Sequence, residues 1–197
     1  MYAQERRVFF WQRVAQLSNC YPLLGRRPWG WHEALSLADT CPVKLIATNM
    51  VDNAALAMSH GYKRILYNPD SKSIVPVVKI IHECAHFKLR HQALAWTNRP
   101  AVDKFVAEVE ADDFVLLTLI PSSGIEWLPN YTIERIYAEY CQDWRLGNVA
   151  ARKMITRRIA LHLEHADAAG VHVRNHTQLA RVVANEGRQR TPDIGLR

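Results

Sequence analysis

The sequence has few cysteines, and no two of them lie close together along the chain. They stand at Cys20, Cys41, Cys84 and Cys141, without a CxxC pair. This scatter is typical of reduced thiols and argues against a cysteine-based zinc site. Internal repeats and low-complexity tracts are also missing, which argues against a fibrous or disordered chain.

Long apolar runs are absent as well. No stretch approaches the roughly 20 residues that a membrane-spanning helix needs. Charged residues interrupt the apolar patch near the start of the chain too soon for a signal peptide. We therefore expect a cytoplasmic protein without a membrane partner.

What the sequence does contain is the composition of a folded domain. Its 197 residues are 49% hydrophobic, 22% charged and 9% aromatic, which suits one domain of ordinary size with a small appendage. The 25 Lys and Arg residues exceed the 19 Asp and Glu residues and give a net charge of +6. A basic balance of this size permits an acidic partner such as nucleic acid without demonstrating one.

The hydrophobic pattern predicts a mainly helical chain with two short strands. We expect helices over residues 1–20, 32–38, 51–59, 73–91, 101–120, 133–144, 149–165 and 176–186, and strands over 43–50 and 63–68. Ser73 is the expected cap of the fourth helix, and Pro76 falls in its first turn, where a missing N–H costs nothing.

That fourth helix carries an HExxH motif at residues 82–86. Residues four apart on a helix project from one face, so His82 and His86 can hold one zinc ion, while Glu83 lies beside them and can act on a water molecule. Only ~0.02 chance matches are expected in a chain of this composition. The apolar Leu89 shares the stripe of the two histidines, which argues against a solvated face.

A hydrolytic zinc site needs a third protein ligand, and the next predicted helix supplies acidic candidates. Glu108 and Asp112 share a stripe with apolar residues, whereas Glu110 and Asp113 lie on another stripe. We expect the first stripe to face the core, because a metal cation compensates the cost of burying a carboxylate. We expect the second stripe to face solvent. Glu108 is therefore the predicted ligand. Asp112 is placed to accept a hydrogen bond from the outer nitrogen of a ligand histidine, and His91 is a weak alternative ligand.

The HExxH motif and the acidic helix together resemble the ImmA/IrrE family of metallopeptidases. The matching segments are residues 65–69, 82–86, 108–114 and 116–121, with a further match at His91. Cys84 and Ala85 replace the commoner Leu-Gly, and Val115 replaces a usual small residue. These three departures affect none of the expected zinc ligands.

The resemblance implies an α+β fold. A mainly helical, zincin-like metallopeptidase domain with a small β-sheet is expected over residues 1–121, with its core at about 42–121. A helical C-terminal extension is expected over residues 122–197, ending in a frayed tail.

The resemblance also implies the activity of a zinc-dependent endopeptidase. His82, His86 and Glu108 would bind Zn²⁺, and Glu83 would be the general base. Family members typically cleave or otherwise inactivate a helix-turn-helix repressor, often encoded beside them on mobile elements or in stress-response systems. A repressor of that kind is the expected protein substrate.

Two features of substrate handling remain open at this point. The strand predicted over residues 63–68 either pairs with an extended substrate by strand addition or is an ordinary sheet strand. A second donor to the oxyanion is usual, and the sequence does not choose among its candidates, which are Tyr67, His91, Tyr131, His162, His165, His172 and His176. The sequence favours a surface position for the pair at 162 and 165.

The basic C-terminal region offers an alternative function. From residue 130 onward, 11 Lys and Arg residues stand against 7 Asp and Glu residues. Four of the cations, Arg152, Lys153, Arg157 and Arg158, fall on one predicted helix. Such a helix could bind DNA, although packing on the protease with the cations on the wet face is favoured. A third possibility is a metal-dependent regulator that binds a repressor without cutting it.

Overall fold

The computed structural model confirms a mostly helical α+β protein with one small sheet. It describes residues 2–21, 24, 28–50, 54–59, 62–71, 74–91, 101–122, 125, 133–138, 148–170 and 176–188. The elements are α1 (Tyr2–Cys20), α2 (Trp31–Asp39), β1 (Val43–Ala47), β2 (Ala54–Ser59), β3 (Tyr62–Tyr67), α3 (Val75–Lys88), α4 (Ala101–Leu119), α5 (Ile133–Ile136), α6 (Asn148–Ala169) and α7 (His176–Arg188). None of the helices in these ranges is long and apolar enough to cross a membrane.

The sheet corrects one sequence prediction. Residues 51–59 were expected to be helical, but β2 is a strand that pairs antiparallel with β3, with Leu56 opposite Ile65. The segment contains Ala, Leu and Met, which favour helices in isolation. The backbone hydrogen bonds that β3 offers along the whole of β2 outweigh that local preference.

The strand order of the sheet decides between the two alternatives left open for residues 63–68. The order is β1-β3-β2, and β3 is parallel to β1, with Leu45 opposite Ile65. Both sides of β3 are therefore hydrogen bonded to neighbouring strands. The strand predicted over residues 63–68 cannot pair with a substrate peptide, because strand addition requires a free edge.

The helix predictions hold to within a few residues, with differences at the ends. Helix α3 has Pro76 in its first turn, as expected, but its N-cap residue is Ile74, which gives no side-chain cap. The predicted cap Ser73 lies outside the described residues. The same is true of the predicted helix at 133–144 beyond residue 138. Strand β1 ends at Ala47, earlier than predicted.

The hydrophobic core lies where α2 and α4 pack against α3. Ile80 and Ile81 of α3 and Ala111 and Phe114 of α4 are completely buried, and Ile65 of β3 joins the same cluster. Each of the large side chains contributes roughly 1.5–3 kcal/mol through burial. Because α3 and α4 are the two helices that carry the candidate ligands, this core fixes their separation.

Helix α6 packs against α4, partly through its cations. Arg157 Nε donates to Asp113 Oδ1 at 2.7 Å, and Arg158 Nε donates to the carbonyl oxygen of Ile120 at 2.7 Å. The Arg158 side chain is fully buried. The sequence placed these cations on the wet face of the helix, which is wrong for Arg158, because its Nε and Nη2 atoms donate to the carbonyl oxygen of Ile120 and the hydroxyl of Ser122 just beyond the end of α4.

Candidate metal centre

Two helices bring His82, His86 and Glu108 together. His82 and His86 lie one turn apart on α3, and their Nε2 atoms are 3.2 Å apart. Glu108 projects from α4 toward both rings, with Oε2 at 3.1 Å from His82 Nε2 and Oε1 at 3.5 Å from His86 Nε2. The sequence predicted these three residues as one group, and the packing of α3 on α4 assembles them.

The spacing of these atoms fits a small metal ion. One ligand atom from each of His82, His86 and Glu108 can be chosen so that all lie within 4.8 Å of one another. A tetrahedral ion with ligand bonds of about 2.0–2.2 Å holds its ligand atoms about 3.3–3.6 Å apart, close to the three separations in the structure. Two imidazoles and a carboxylate suit zinc and neighbouring transition metals better than calcium or magnesium. The Glu108 side chain is 49% exposed, so the group is accessible from solvent.

His82 is oriented by Asp112, the residue predicted for this contact. Its Nδ1 lies 2.9 Å from Asp112 Oδ1, so an N–H at Nδ1 donates to the carboxylate and leaves the Nε2 lone pair facing Glu108 and His86. Burial opposes the charged form of His82, but the hydrogen bond to Asp112 and the charges of Asp112, Glu83 and Glu108 outweigh burial and raise the pKa of His82.

The outer nitrogen of His86 contacts His91, a contact that sequence reasoning missed. Helix α3 ends at Lys88, and Arg90 adopts the left-handed conformation with φ of 60°. The backbone N–H of His91 then donates to the carbonyl oxygen of His86 at 2.9 Å, as in a Schellman helix end. This turn places His91 Nδ1 at 3.0 Å from His86 Nδ1. His91 therefore lies behind the ligand ring and not in the position of a ligand.

The burial predicted for the acids of α4 is reversed in the structure. The Glu110 and Asp113 side chains are 8% and 2% exposed, whereas Glu108 and Asp112 are 49% and 70% exposed. The expected solvent stripe is buried because cations from sequence-distant helices neutralise it. Asp113 pairs with Arg7 of α1 and Arg157 of α6.

Glu110 has its own partners at the buried side of α4. It accepts hydrogen bonds from His91 Nε2 at 2.9 Å and from Arg6 Nε at 3.3 Å. Burial opposes its charged form, but the hydrogen bond from His91 and the charge of Arg6 outweigh burial and lower the pKa of Glu110. No signal in the sequence pointed to this contact, because Glu110 was expected to face solvent.

Glu83, the predicted base, is buried beside the two histidines. Its Oε1 lies 3.3 Å from Lys79 Nζ, one helical turn earlier, and its negative charge contributes to the raised pKa of His82. Lys79 was not singled out in the sequence. Its positive charge lies close to the buried carboxylate.

Several of the remaining candidates for an oxyanion donor contact residues outside the candidate metal site. Tyr67 packs on Trp31, with ring centroids 5.5 Å apart, and His165 packs on Trp11 at 4.7 Å. The two candidates at positions 131 and 172 fall outside the described residues. His176 is paired with an aspartate of α6.

His162 was expected at the surface, and that expectation is wrong. The side chain is buried in α6, one turn from Arg158. Burial is the main cause that lowers the pKa of His162 to about 4, with smaller contributions from the charges of Arg158 and His165. The packing of α6 on the core decided this position.

Together these contacts define a candidate divalent-metal site with two histidine ligands and one glutamate ligand on neighbouring helices. Each ligand imidazole makes a hydrogen bond through its other nitrogen, as metal-binding histidines usually do. Searches of protein-family models, curated proteins and solved structures find no match to this chain.

Proposed function

We propose that this protein is a zinc-dependent endopeptidase of the ImmA/IrrE type. The observation that carries the proposal is the convergence of His82 Nε2, His86 Nε2 and the Glu108 carboxylate within 3.5 Å of one another, directly beside Glu83. When bound there, a zinc ion supplies Lewis acidity to a peptide carbonyl and to a water molecule.

In this proposal Glu83 is the general base and then the general acid. Its buried carboxylate accepts a proton from the attacking water and delivers it to the nitrogen of the departing amine. Lys79 holds the carboxylate from one helical turn away. A cation at this distance favours the carboxylate form, which the role of proton acceptor requires.

The topology indicates how an extended substrate would bind. Within the described sheet β3 is central, so β1 and β2 form the edges. Strand β2 is the edge strand that packs against α3. We therefore place the substrate peptide along β2, where backbone groups can hydrogen bond to it. A helix-turn-helix repressor is the proposed substrate because the site residues resemble those of the ImmA/IrrE family.

The contacts of α6 weigh against the alternative of a DNA-binding protein. Arg157 and Arg158 are engaged by acceptors of α4, and Arg152 pairs with Glu134 of α5. Arg158 is buried, and the partly exposed Arg157 and Arg152 are already paired with carboxylates, so all three are poorly placed to contact phosphates. The metal-dependent regulator that binds without cutting remains an outcome of the experiment.

The first experiment measures metal binding. The purified chain, loaded with zinc and desalted, should retain about one equivalent by elemental analysis. His82→Ala, His86→Ala and Glu108→Ala should each retain much less under the same conditions. Retention of zinc by all three variants would contradict the site.

The second experiment measures cleavage. The zinc-loaded protein is incubated with the repressor-like protein encoded by a neighbouring reading frame, with and without a chelator. Glu83→Gln should keep the metal and lose at least 100-fold in cleavage rate, whereas Glu5→Gln, an exposed control on α1, should leave the rate unchanged. Intact repressor with zinc-loaded wild-type protein would support the non-catalytic regulator, and equal cleavage by Glu83→Gln would remove the proposed base.

A further inference from the structure

A buried chain of hydrogen bonds runs from His86 to helix α1. It passes from His86 Nδ1 to His91 Nδ1 at 3.0 Å, from His91 Nε2 to Glu110 Oε2 at 2.9 Å, and from Glu110 Oε1 to Arg6 Nε at 3.3 Å. We propose that His91 and Glu110 are positioning residues that fix the ring orientation and tautomer of His86 for metal binding. This inference rests on the proposed metal site.

The direction of this chain follows from the chemistry of its ends. A carboxylate only accepts hydrogen bonds, so His91 must carry its proton on Nε2, where it faces Glu110. Nδ1 of neutral His91 is then an acceptor, and the Nδ1 atom of His86 must donate to it. A neutral His86 with its proton on Nδ1 presents a bare Nε2 to His82 and Glu108, which is the form that binds a metal ion.

The reverse direction is disfavoured at the Glu110 end. If a neutral His91 donated from Nδ1, its Nε2 lone pair would face the Glu110 carboxylate at 2.9 Å, and two acceptors would meet without a proton. His86 would then carry its proton on Nε2, where it would occupy the metal position. The negative charge of Glu110 therefore selects the metal-binding tautomer of a ring with which it has no direct contact.

Burial and anchoring make this selection effective. The side chains of His86, His91 and Glu110 are all buried, so water competes little for their hydrogen bonds. Arg6 holds the second oxygen of Glu110 and also pairs with Asp103 at 3.3 Å. The chain thereby links a metal ligand on α3 to a cation on α1.

Zinc affinity measured by competition with a chromophoric chelator tests the proposal. His91→Phe removes the acceptor for His86 and should weaken zinc binding by about 10–100-fold. His91→Gln keeps an acceptor and a donor and should recover part of that loss, which a purely structural role would not produce. His176→Gln, a histidine variant on α7, is the control and should bind zinc like the wild type.

The tautomer of His86 is measured separately in the metal-free protein. Long-range proton–nitrogen NMR spectra should show the proton of His86 on Nδ1 in the wild type and a mixture in Glu110→Gln, because an amide can donate as well as accept. The same variant serves if His91→Phe does not fold. Unchanged zinc affinity in both His91 variants, or an unchanged tautomer in Glu110→Gln, would overturn the inference, whereas a wild type that binds no zinc would overturn the proposed function itself.

Discussion

Helix α4 presents two pairs of carboxylates whose surroundings differ. Glu108 and Asp112 are half exposed or more and face the two histidines of α3. Glu110 and Asp113 are buried and are held by His91 and by cations of α1 and α6. We call the first pair the metal-facing acids and the second pair the buried acids.

The comparison shows that the acids of α4 that face the candidate metal site are the exposed ones. The metal-facing acids stay accessible, so they can meet an ion from solvent without a large cost of desolvation. The buried acids are neutralised inside the protein and join α1, α4 and α6. We therefore expect the loss of Asp113 to act mainly on folding stability, and changes in the metal-facing acids to act on metal affinity. Glu110, which contacts His91, should affect both.

The largest expected effect is the loss of a buried acid. Asp113→Asn removes the buried carboxylate that pairs with the guanidinium groups of Arg7 and Arg157, of which Arg7 keeps Glu164 as a second partner. We expect a loss of about 3–5 kcal/mol in the free energy of unfolding, toward the lower value because both arginines are partly exposed. Urea denaturation of the metal-free protein measures it. A loss below 1 kcal/mol would break the comparison, since Asp113 would then behave like an exposed acid.

A smaller expected effect is the pH dependence of the free energy of unfolding that the buried His162 causes. The pKa of His162 falls to about 4 in the folded chain, against about 6.5 when unfolded. Between these values the unfolded chain binds a proton that the folded chain does not, so the free energy of unfolding is largest above pH 6.5 and decreases as the pH falls toward 4.

The difference between wild type and His162→Gln isolates this contribution. We expect stability to fall by about 2 kcal/mol more in the wild type than in the variant from pH 7 to pH 4.5, after allowance for solvent screening. Denaturation curves with a chelator present, taken at several pH values, measure it. His32→Gln, an exposed control on α2, should reproduce the wild-type slope. Parallel slopes for wild type and His162→Gln would refute the prediction.

The smallest expected effect belongs to a metal-facing acid. Asp112→Asn removes the carboxylate that accepts from His82 Nδ1. Because Asp112 is 70% exposed, we expect zinc affinity to fall by about tenfold, at the lower end of such contacts, with a change in metal-free stability within about 0.5 kcal/mol. Chelator competition and denaturation curves of the same samples measure both. A large loss of stability with unchanged zinc affinity would contradict the prediction, because Asp112 would then behave like a buried acid.

The residues of the candidate metal site were predicted more accurately than the residues around them. The spacing of His82 and His86 on a helix fixes their common face, and the next acidic helix supplied Glu108 and Asp112. Helical periodicity predicted that these two acids are buried and that Glu110 and Asp113 are exposed. The structure shows the reverse. Burial of a charge depends on whether a cation meets it, and those cations are more than 40 residues away in sequence.

Local sequence by itself determined the helices that carry the site, the HExxH face and the candidate metal ligands, because helical periodicity and side-chain chemistry are local properties. Tertiary structure alone decided that residues 54–59 form a strand and that β3 lies between two neighbours, since strand pairing joins distant segments. It also decided that His91 lies behind His86. A left-handed Arg90 and a buried Glu110 are needed for that contact, and their combination arises only when α3, α4 and α1 pack together.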